Sequence, residues 1–247
     1  MPHPRSRMPR APKRRIEGSY PIDTGTAAIV ADPNRDGAFV LEVNRVPSSY
    51  VVPGAPEVLE YDYMRWIADF IAAADPPEPF TAVHLGAAGC ALPSYVQHRW
   101  RSRNIAVELD RGLARLVRDA FNPPVEIVVA EARAFAHALS PGSVDVIVRD
   151  VFAGPDTPRA LCTVEFFRAA HRALSPGGLF AANIGDREGL PRTRAELAGL
   201  RQVFAHTAVT YVGRGYGNVV VAASDRPLHI GRHLPIDGAS PLHDRSP

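Results

Sequence analysis

The sequence predicts an α/β fold: a Rossmann-like, doubly wound sheet over residues 78–225, preceded by a small N-terminal β unit. Three observations carry this expectation. From Phe80 onward, short apolar runs alternate with stretches of helical periodicity, at the pitch of strand–helix–strand units. The run Val83-His84-Leu85-Gly86-Ala87-Ala88-Gly89-Cys90 ends an apolar strand in a turn of small residues and opens a helix. Two further apolar runs end in carboxylates, Glu108 and Asp150, where ligands gather in parallel sheets.

Composition agrees. With 247 residues, 46% apolar and 22% charged, the chain can bury a core without disulfides or metals. Arg5, Arg7, Arg10, Lys13, Arg14 and Arg15 outnumber the net charge of +2, so the rest of the chain is mildly acidic. Residues 1–15 are expected to be a disordered basic tail, and nucleic acid is not the expected partner, because no basic, aromatic-interleaved surface follows. Cys90 and Cys162 are the only cysteines and lie in apolar surroundings, which fits reduced thiols and a cytoplasmic protein. No apolar run is long enough to cross a bilayer, so no membrane association is expected.

Taken in order, residues 16–77 read as a β unit and a linking helix. Strands are expected at 26–31 and 38–43 around the turn Asp32-Pro33-Asn34-Arg35-Asp36-Gly37. Over 57–74 the period becomes helical, with Leu59, Tyr63, Trp66, Ile67, Phe70 and Ile71 on one stripe, and Asp75-Pro76-Pro77 ends it. Beyond residue 78, strands are expected at 80–85, 104–109, 125–130, 144–149 and 178–184. Helices are expected at 91–101, 110–121, 132–139, 159–174 and 190–205. Residues 208–212 and 219–223 read as an antiparallel hairpin added at the sheet edge. Residues 226–247, polar and Pro-rich, are expected to be a tail.

The chemistry concentrates at strand ends. The Gly86-Ala87-Ala88-Gly89 turn lets a ligand approach the backbone, and the helix after it offers free N–H groups. Glu108 follows Gly86 by 22 residues, the interval at which an acid receives ribose hydroxyls. Asp110 reads as the N-cap of the next helix. Glu131 either contacts an adenine edge or simply begins a helix. Asp150 closes the run before Val151-Phe152-Ala153-Gly154-Pro155 and is placed to take a proton. The pattern is not Gly-x-Gly-x-x-Gly, so a cofactor without pyrophosphate fits better than a dinucleotide. No phosphate loop, serine-nucleophile elbow or zinc spacing is present, and no metal is expected.

Together these residues make the chain resemble the polyamine aminopropyltransferases (spermidine synthases), within the class I S-adenosylmethionine-dependent methyltransferase fold. The resemblance spans about residues 20–225. It rests on Leu59-Glu60-Tyr61-Asp62-Tyr63, the Gly86–89 turn, Val107-Glu108-Leu109-Asp110, Ala130-Glu131-Ala132, Asp145-Val146-Ile147-Val148-Arg149-Asp150, Thr163-Val164-Glu165-Phe166-Phe167 and Leu174-Ser175-Pro176-Gly177-Gly178. It implies that Gly86, Ala87, Ala88 and Gly89 line the methionine part of S-adenosylmethionine or its decarboxylated form. Glu108 and Leu109 would hold the ribose side, and Glu131 with Ala132 the adenine. Asp150 would be the catalytic base. Tyr63 would face the small-molecule acceptor, an amine in the family, with Asp156 as a further acid, and 152–162 would close over the site. A homodimer is expected from the resemblance alone.

Four positions depart from the family pattern. Gly89 stands where the glycine loop usually carries an aspartate, Ala153 where a second acid follows the catalytic one, and Met64 where a glutamine follows Tyr63. No glutamine stands near Ser48-Ser49. Three functions therefore stay open: aminopropyl transfer, methyl transfer from S-adenosylmethionine itself, and nucleoside binding without catalysis.

Overall fold

In the computed structural model, which describes residues 16–154, 156–210, 215–236 and 238–244, the chain forms two sheets. The basic segment 1–15 lies outside the described residues. The first sheet is a four-stranded antiparallel meander of β1 (Gly18–Ile22), β2 (Gly25–Ala31), β3 (Phe39–Val43) and β4 (Val46–Val51), paired in chain order. Hydrophobic runs predict β2 and β3 but not β1 and β4, which contain Pro21 and Pro47. Both are edge strands, where a missing N–H need not break a ladder. Asn44 and Arg45, both left-handed (φ 51° and 68°), turn β3 into β4.

Helix α1 (Asp62–Ala74) follows and buries Met64, Ile67, Ala68, Phe70 and Ile71. It starts five residues later than the periodicity suggested, because Arg65 reaches back to the carbonyls of Leu59 and Glu60 and holds that stretch outside the helix. Asp75 ends it in a left-handed cap.

The alternation then runs as expected: β5 (Thr81–Leu85), α2 (Ala91–Trp100), β6 (Arg103–Glu108), α3 (Arg111–Phe121), β7 (Glu126–Val129), α4 (Ala132–Ala138) and β8 (Val144–Arg149). After a 3₁₀ turn (Arg159–Leu161) come α5 (Val164–Ala173), β9 (Leu174–Asp186), α6 (Pro191–Leu200), β10 (His206–Thr210) and β11 (Gly217–Ser224). The seven strands lie in the order β10-β11-β9-β8-β5-β6-β7. β5, β6, β7, β8 and β9 pair in parallel, while β11 runs antiparallel between β9 and β10. The expected hairpin is therefore present but not simply appended: its second strand enters the sheet and its first becomes the edge. Residues 211 and 212, expected at the end of β10, lie outside the described residues.

Both faces are covered, as a doubly wound sheet requires. Leu179 and Ala181 of β9 and Val146 and Val148 of β8 pack under α1 and α2. The alternate residues Phe180, Ala182 and Ile147 pack under α4, α5 and α6. The small sheet covers α3 through Ile22, Ala27, Ile29 and Leu41. Asp110 fastens that junction. It caps α3 at the N–H of Leu113 (2.7 Å) and accepts from the N–H groups of Asp23 (3.1 Å) and Thr24 (2.7 Å) and from the Thr24 hydroxyl (2.7 Å). The C-terminal stretch does not trail away. Arg232 bridges Val209, Leu242 bridges Thr163, and His243 meets Glu165 at 3.0 Å.

Candidate active site

The order of the parallel strands reverses between β5 and β8, since β6 and β7 lie on one side and β9 on the other. A crevice opens there at the carboxyl ends of the strands. Gly86 leaves β5 and Asp150 leaves β8 side by side, with the Asp150 N–H donating to the Leu85 carbonyl (2.8 Å). Gly86 is left-handed (φ 88°), and a Cβ there would stand 2.2 Å from the Asp150 carbonyl oxygen, so only glycine fits. Ala88 (φ 38°) and Cys90 (φ 58°) are also left-handed. Two non-glycine residues strained in one short turn point to a functional loop. The α2 N-terminus has no side-chain cap.

Gly89 is constrained differently. A Cβ would lie 2.8 Å from both Ser49 Cβ and Val51 Cγ2, and its N–H donates to Ser49 Oγ (2.9 Å). Strand β4 therefore sits on the loop where the family pattern has an acid. Ser49 is fully buried, and its contact with the loop spans 40 residues of sequence, so no local signal announced it.

Glu108 ends β6 beside this turn. Its Oε2 accepts from the Ala88 N–H (3.3 Å) and its Oε1 from the Asp110 N–H (3.0 Å). Burial pushes its carboxyl up, against the pull of those N–H groups. A carboxylate has room for about four hydrogen bonds, so acceptor capacity remains on the cleft side. Next to it Leu109 is 63% exposed, an apolar side chain left uncovered at the cleft mouth. Glu131 is the N-cap of α4 and accepts from the N–H groups of Arg133 (2.8 Å) and Ala134 (2.7 Å), while Ala132 is buried. The helix-start reading of Glu131 is thus realised in the structure.

Asp150 lies on the α1 face of the sheet tip. Its Oδ1 accepts from Asn183 Nδ2 (2.9 Å), and the Tyr63 hydroxyl of α1 faces the same carboxylate. Burial raises the Asp150 carboxyl, opposed by Asn183, Tyr63 and the Arg149 charge. Although packed round with protein, Asp150 keeps a partly open surface. Burial, followed by the Asp150 charge, lifts the Tyr63 hydroxyl well above the usual tyrosine range. Phe152, partly exposed, follows on the same lip.

Strand alternation sends Arg149 to the opposite face, fully buried. There it pairs with Glu196 of α6 (2.6 Å) and donates to the carbonyls of Leu161 (2.9 Å) and Asn183 (3.3 Å). Neither Glu196 nor Asn183 carries a local sequence signal. Asp156, expected as an acceptor-side acid, pairs with Arg192 (2.5 Å) at the start of α6. The fold thus brings the Gly86–89 turn, Glu108, Leu109, Asp150 and Tyr63 to one edge.

Cys90 and Cys162 are free buried thiols, each pushed by burial to about 12. His84 is a core histidine hydrogen-bonded to Asn104 (2.8 Å) and lowered by burial to about 4. Among the described residues no group of three His, Cys, Asp or Glu side chains is placed to hold a metal, and no helix is long and apolar enough to cross a membrane.

No family model matches the chain. Individual proteins do. A polyamine aminopropyltransferase of Chromobacterium violaceum is 29% identical over 181 residues, covering 68% of this chain; the match spans 65% of that protein's length, just under two thirds. A spermidine synthase solved with the transition-state analogue AdoDATO shares the fold, with a TM-score of 0.63 at 22% identity over 85% of this chain and 72% of that one. The crystal structure of a probable spermidine synthase from Corynebacterium glutamicum superposes with a TM-score of 0.86 at 36% identity, over 94% of this chain and 97% of that one. With the cleft assembled as described and a relative of that identity matched along nearly its whole length, the chain belongs to the spermidine synthase (polyamine aminopropyltransferase) family, built on the class I methyltransferase fold.

Proposed function

We propose that the chain is a spermidine synthase-like transferase that takes an alkyl group from an adenosyl sulfonium donor to an amine acceptor, with Asp150 as the base. The observation that carries this is the position of Asp150: beside the Gly86 turn, partly exposed, hydrogen-bonded by Asn183 and faced by the Tyr63 hydroxyl, two neutral groups that favour its carboxylate form. The AdoDATO complex of the spermidine synthase with the same fold supports an adenosyl donor.

The residues present fit such a donor. Spare acceptor capacity on Glu108 suits a ribose diol, exposed Leu109 offers a flat apolar contact for a base, and the Gly86 turn permits close backbone approach. A sulfonium supplies a good leaving group, so the protein's work is positioning and proton removal. Tyr63 and Asn183 fix the Asp150 carboxylate, which accepts the N–H proton of the acceptor as the nitrogen bonds to carbon and the thioether leaves. Glu131 caps α4 and thereby sets the adenine side of the cleft together with Ala132. Asp156 ties the turn from Ala153 to α6 through Arg192 and offers an acid on the acceptor side.

Asp150→Ala is expected to lower turnover by at least 10²-fold with little change in nucleoside affinity. The pair of measurements is steady-state transfer from decarboxylated S-adenosylmethionine to 1,4-diaminobutane and calorimetric titration with the thioether product. Unaltered turnover removes Asp150 from the mechanism.

One observation favours a second reading, methyl transfer from S-adenosylmethionine itself. The packing of Gly89 on Ser49 and Val51 leaves no room there for the acid that would greet a donor's amine and repel its carboxylate. Titration with both donors decides: tighter binding of the decarboxylated form supports aminopropyl transfer, and tighter binding of the full cofactor supports methyl transfer.

A further inference from the structure

Asn183 is an unusual residue for its place. It lies in the middle of β9, within Phe180-Ala181-Ala182-Asn183-Ile184, and pairs with Val220 across the ladder. It is 1% exposed. Asparagine is depleted in strands, and a buried amide needs partners. Strand alternation puts it on the α1 face with Leu179 and Ala181, the face that Asp150 shares with Val146 and Val148. There, among the described residues, its side chain makes one hydrogen bond, Nδ2 to Asp150 Oδ1 at 2.9 Å, and its Oδ1 has no partner. The opposite amide orientation would set a carbonyl oxygen against the carboxylate, so the unpartnered Oδ1 follows from the bond Asn183 makes. Its backbone is fixed as well: the Asn183 carbonyl accepts from Arg149 Nη2 (3.3 Å), and Arg149 is locked to Glu196.

We infer that Asn183 is a positioning residue for the reaction: through its Nδ2 hydrogen bond it orients the Asp150 carboxylate toward the cleft and favours its charged form. This rests on the reading of Asp150 as the base. The groups facing Asp150 are Tyr63 from α1, Asn183 from β9 and the Arg149 charge from its own strand, with Glu196 of α6 neutralising Arg149 from the far side. Of these, Asn183 is a permanent neutral donor rooted in the sheet. A hydrogen bond to the charged form lowers an acid's pKa, so removing it lets burial raise Asp150 further.

The test is the pH dependence of kcat/KM for transfer from decarboxylated S-adenosylmethionine to 1,4-diaminobutane, in wild type, Asn183→Ala and Asn183→Asp. It is paired with ¹³C NMR titration of the Asp150 carboxyl, assigned by its loss in Asp150→Asn. In Asn183→Ala the acid limb and the carboxyl titration are expected to move up together by about one pH unit or more, with most of the rate recovered at high pH. Asn183→Asp places a second acid 2.9 Å away, and the upward shift is expected to be larger. A rate that falls equally at every pH, with the Asp150 titration unmoved, overturns the inference. The parent reading fails separately, if Asp150→Asn retains wild-type turnover and the NMR shift occurs with no change in the rate profile.

Discussion

On the β5–β6–β7 side of the cleft Glu108, Asp110 and Glu131 are held mainly by backbone N–H groups, whereas Asp150, Glu196 and Asp156 on the β8–β9 side are held by side chains; Asp186 at the end of β9, held by the N–H groups of Arg187 and Thr193, is the exception there. Glu108 accepts from Ala88 and Asp110, Asp110 from Leu113, Thr24 and Asp23, and Glu131 from Arg133 and Ala134. Across the reversal point, Asp150 depends on Asn183 and Tyr63, Glu196 on Arg149, and Asp156 on Arg192. A backbone donor survives almost any substitution at its own position, but a side-chain donor does not. Glu108, Asp110 and Glu131 should therefore tolerate change in most of their partners and fail through the acids, while Asp150, Glu196 and Asp156 should fail through acids and partners alike.

The largest effect on stability is expected at the fully buried pair. In Glu196→Ala the Arg149 guanidinium stays buried without its counter-charge, which costs about 3–5 kcal/mol. Urea unfolding measures it. Arg149→Met combined with Glu196→Leu should recover most of that loss, because the double change also removes the buried charge. A single-variant loss below about 1 kcal/mol would mean that charge pairing does not hold the β8–β9 half together.

Asp110 sharpens the other side of the contrast. Asp110→Ala removes a helix cap and the fastening of the small sheet, for an expected loss of about 2–3 kcal/mol. Hydrogen exchange should rise first at Asp23 and Thr24. Burial alone would raise the Asp110 carboxyl, but its four hydrogen bonds hold it below the usual carboxylate range. A depressed folded-state value stabilises above the unfolded pKa and is lost as pH falls through the folded one. The gap between wild type and Asp110→Ala should therefore be widest near neutrality and narrow below about pH 4. A gap independent of pH would assign the loss to packing instead.

The same contrast explains what the sequence disclosed. The alternation from β5 to β9, the Gly86–89 turn and the acids Glu108, Asp110, Glu131 and Asp150 were legible because each is a local event: an apolar run, small residues at a turn, or an acid where N–H groups are unsatisfied. What escaped was settled by distant partners. Asn183 looks like an interruption of an apolar strand until β8 is beside it. Glu196 looks like one more polar residue on α6 until Arg149 arrives from 47 positions earlier. Ser49 and Val51 acquire meaning only when β4 folds onto Gly89. The insertion of β11 between β9 and β10 is likewise a pairing choice to which strand periodicity is blind.

The smallest expected change in stability belongs to Leu109, and it isolates binding from folding. The side chain is 63% exposed, so Leu109→Ala should shift unfolding by less than about 0.5 kcal/mol. If Leu109 is the apolar contact for a nucleoside base at the Glu108 strand end, the same change should weaken binding of the adenosyl thioether several-fold, from lost burial of about 1 kcal/mol in the complex. Calorimetry on the folded variant reads this directly. Glu108→Gln serves as its polar counterpart, since Oε1 is kept as an acceptor while the charge proposed to attract ribose hydroxyls is lost. Weaker binding in both variants places the nucleoside over the β6 tip. Unchanged affinity in Leu109→Ala with a loss in Glu108→Gln moves the base away from this lip, and the exposed leucine then has no part in the site.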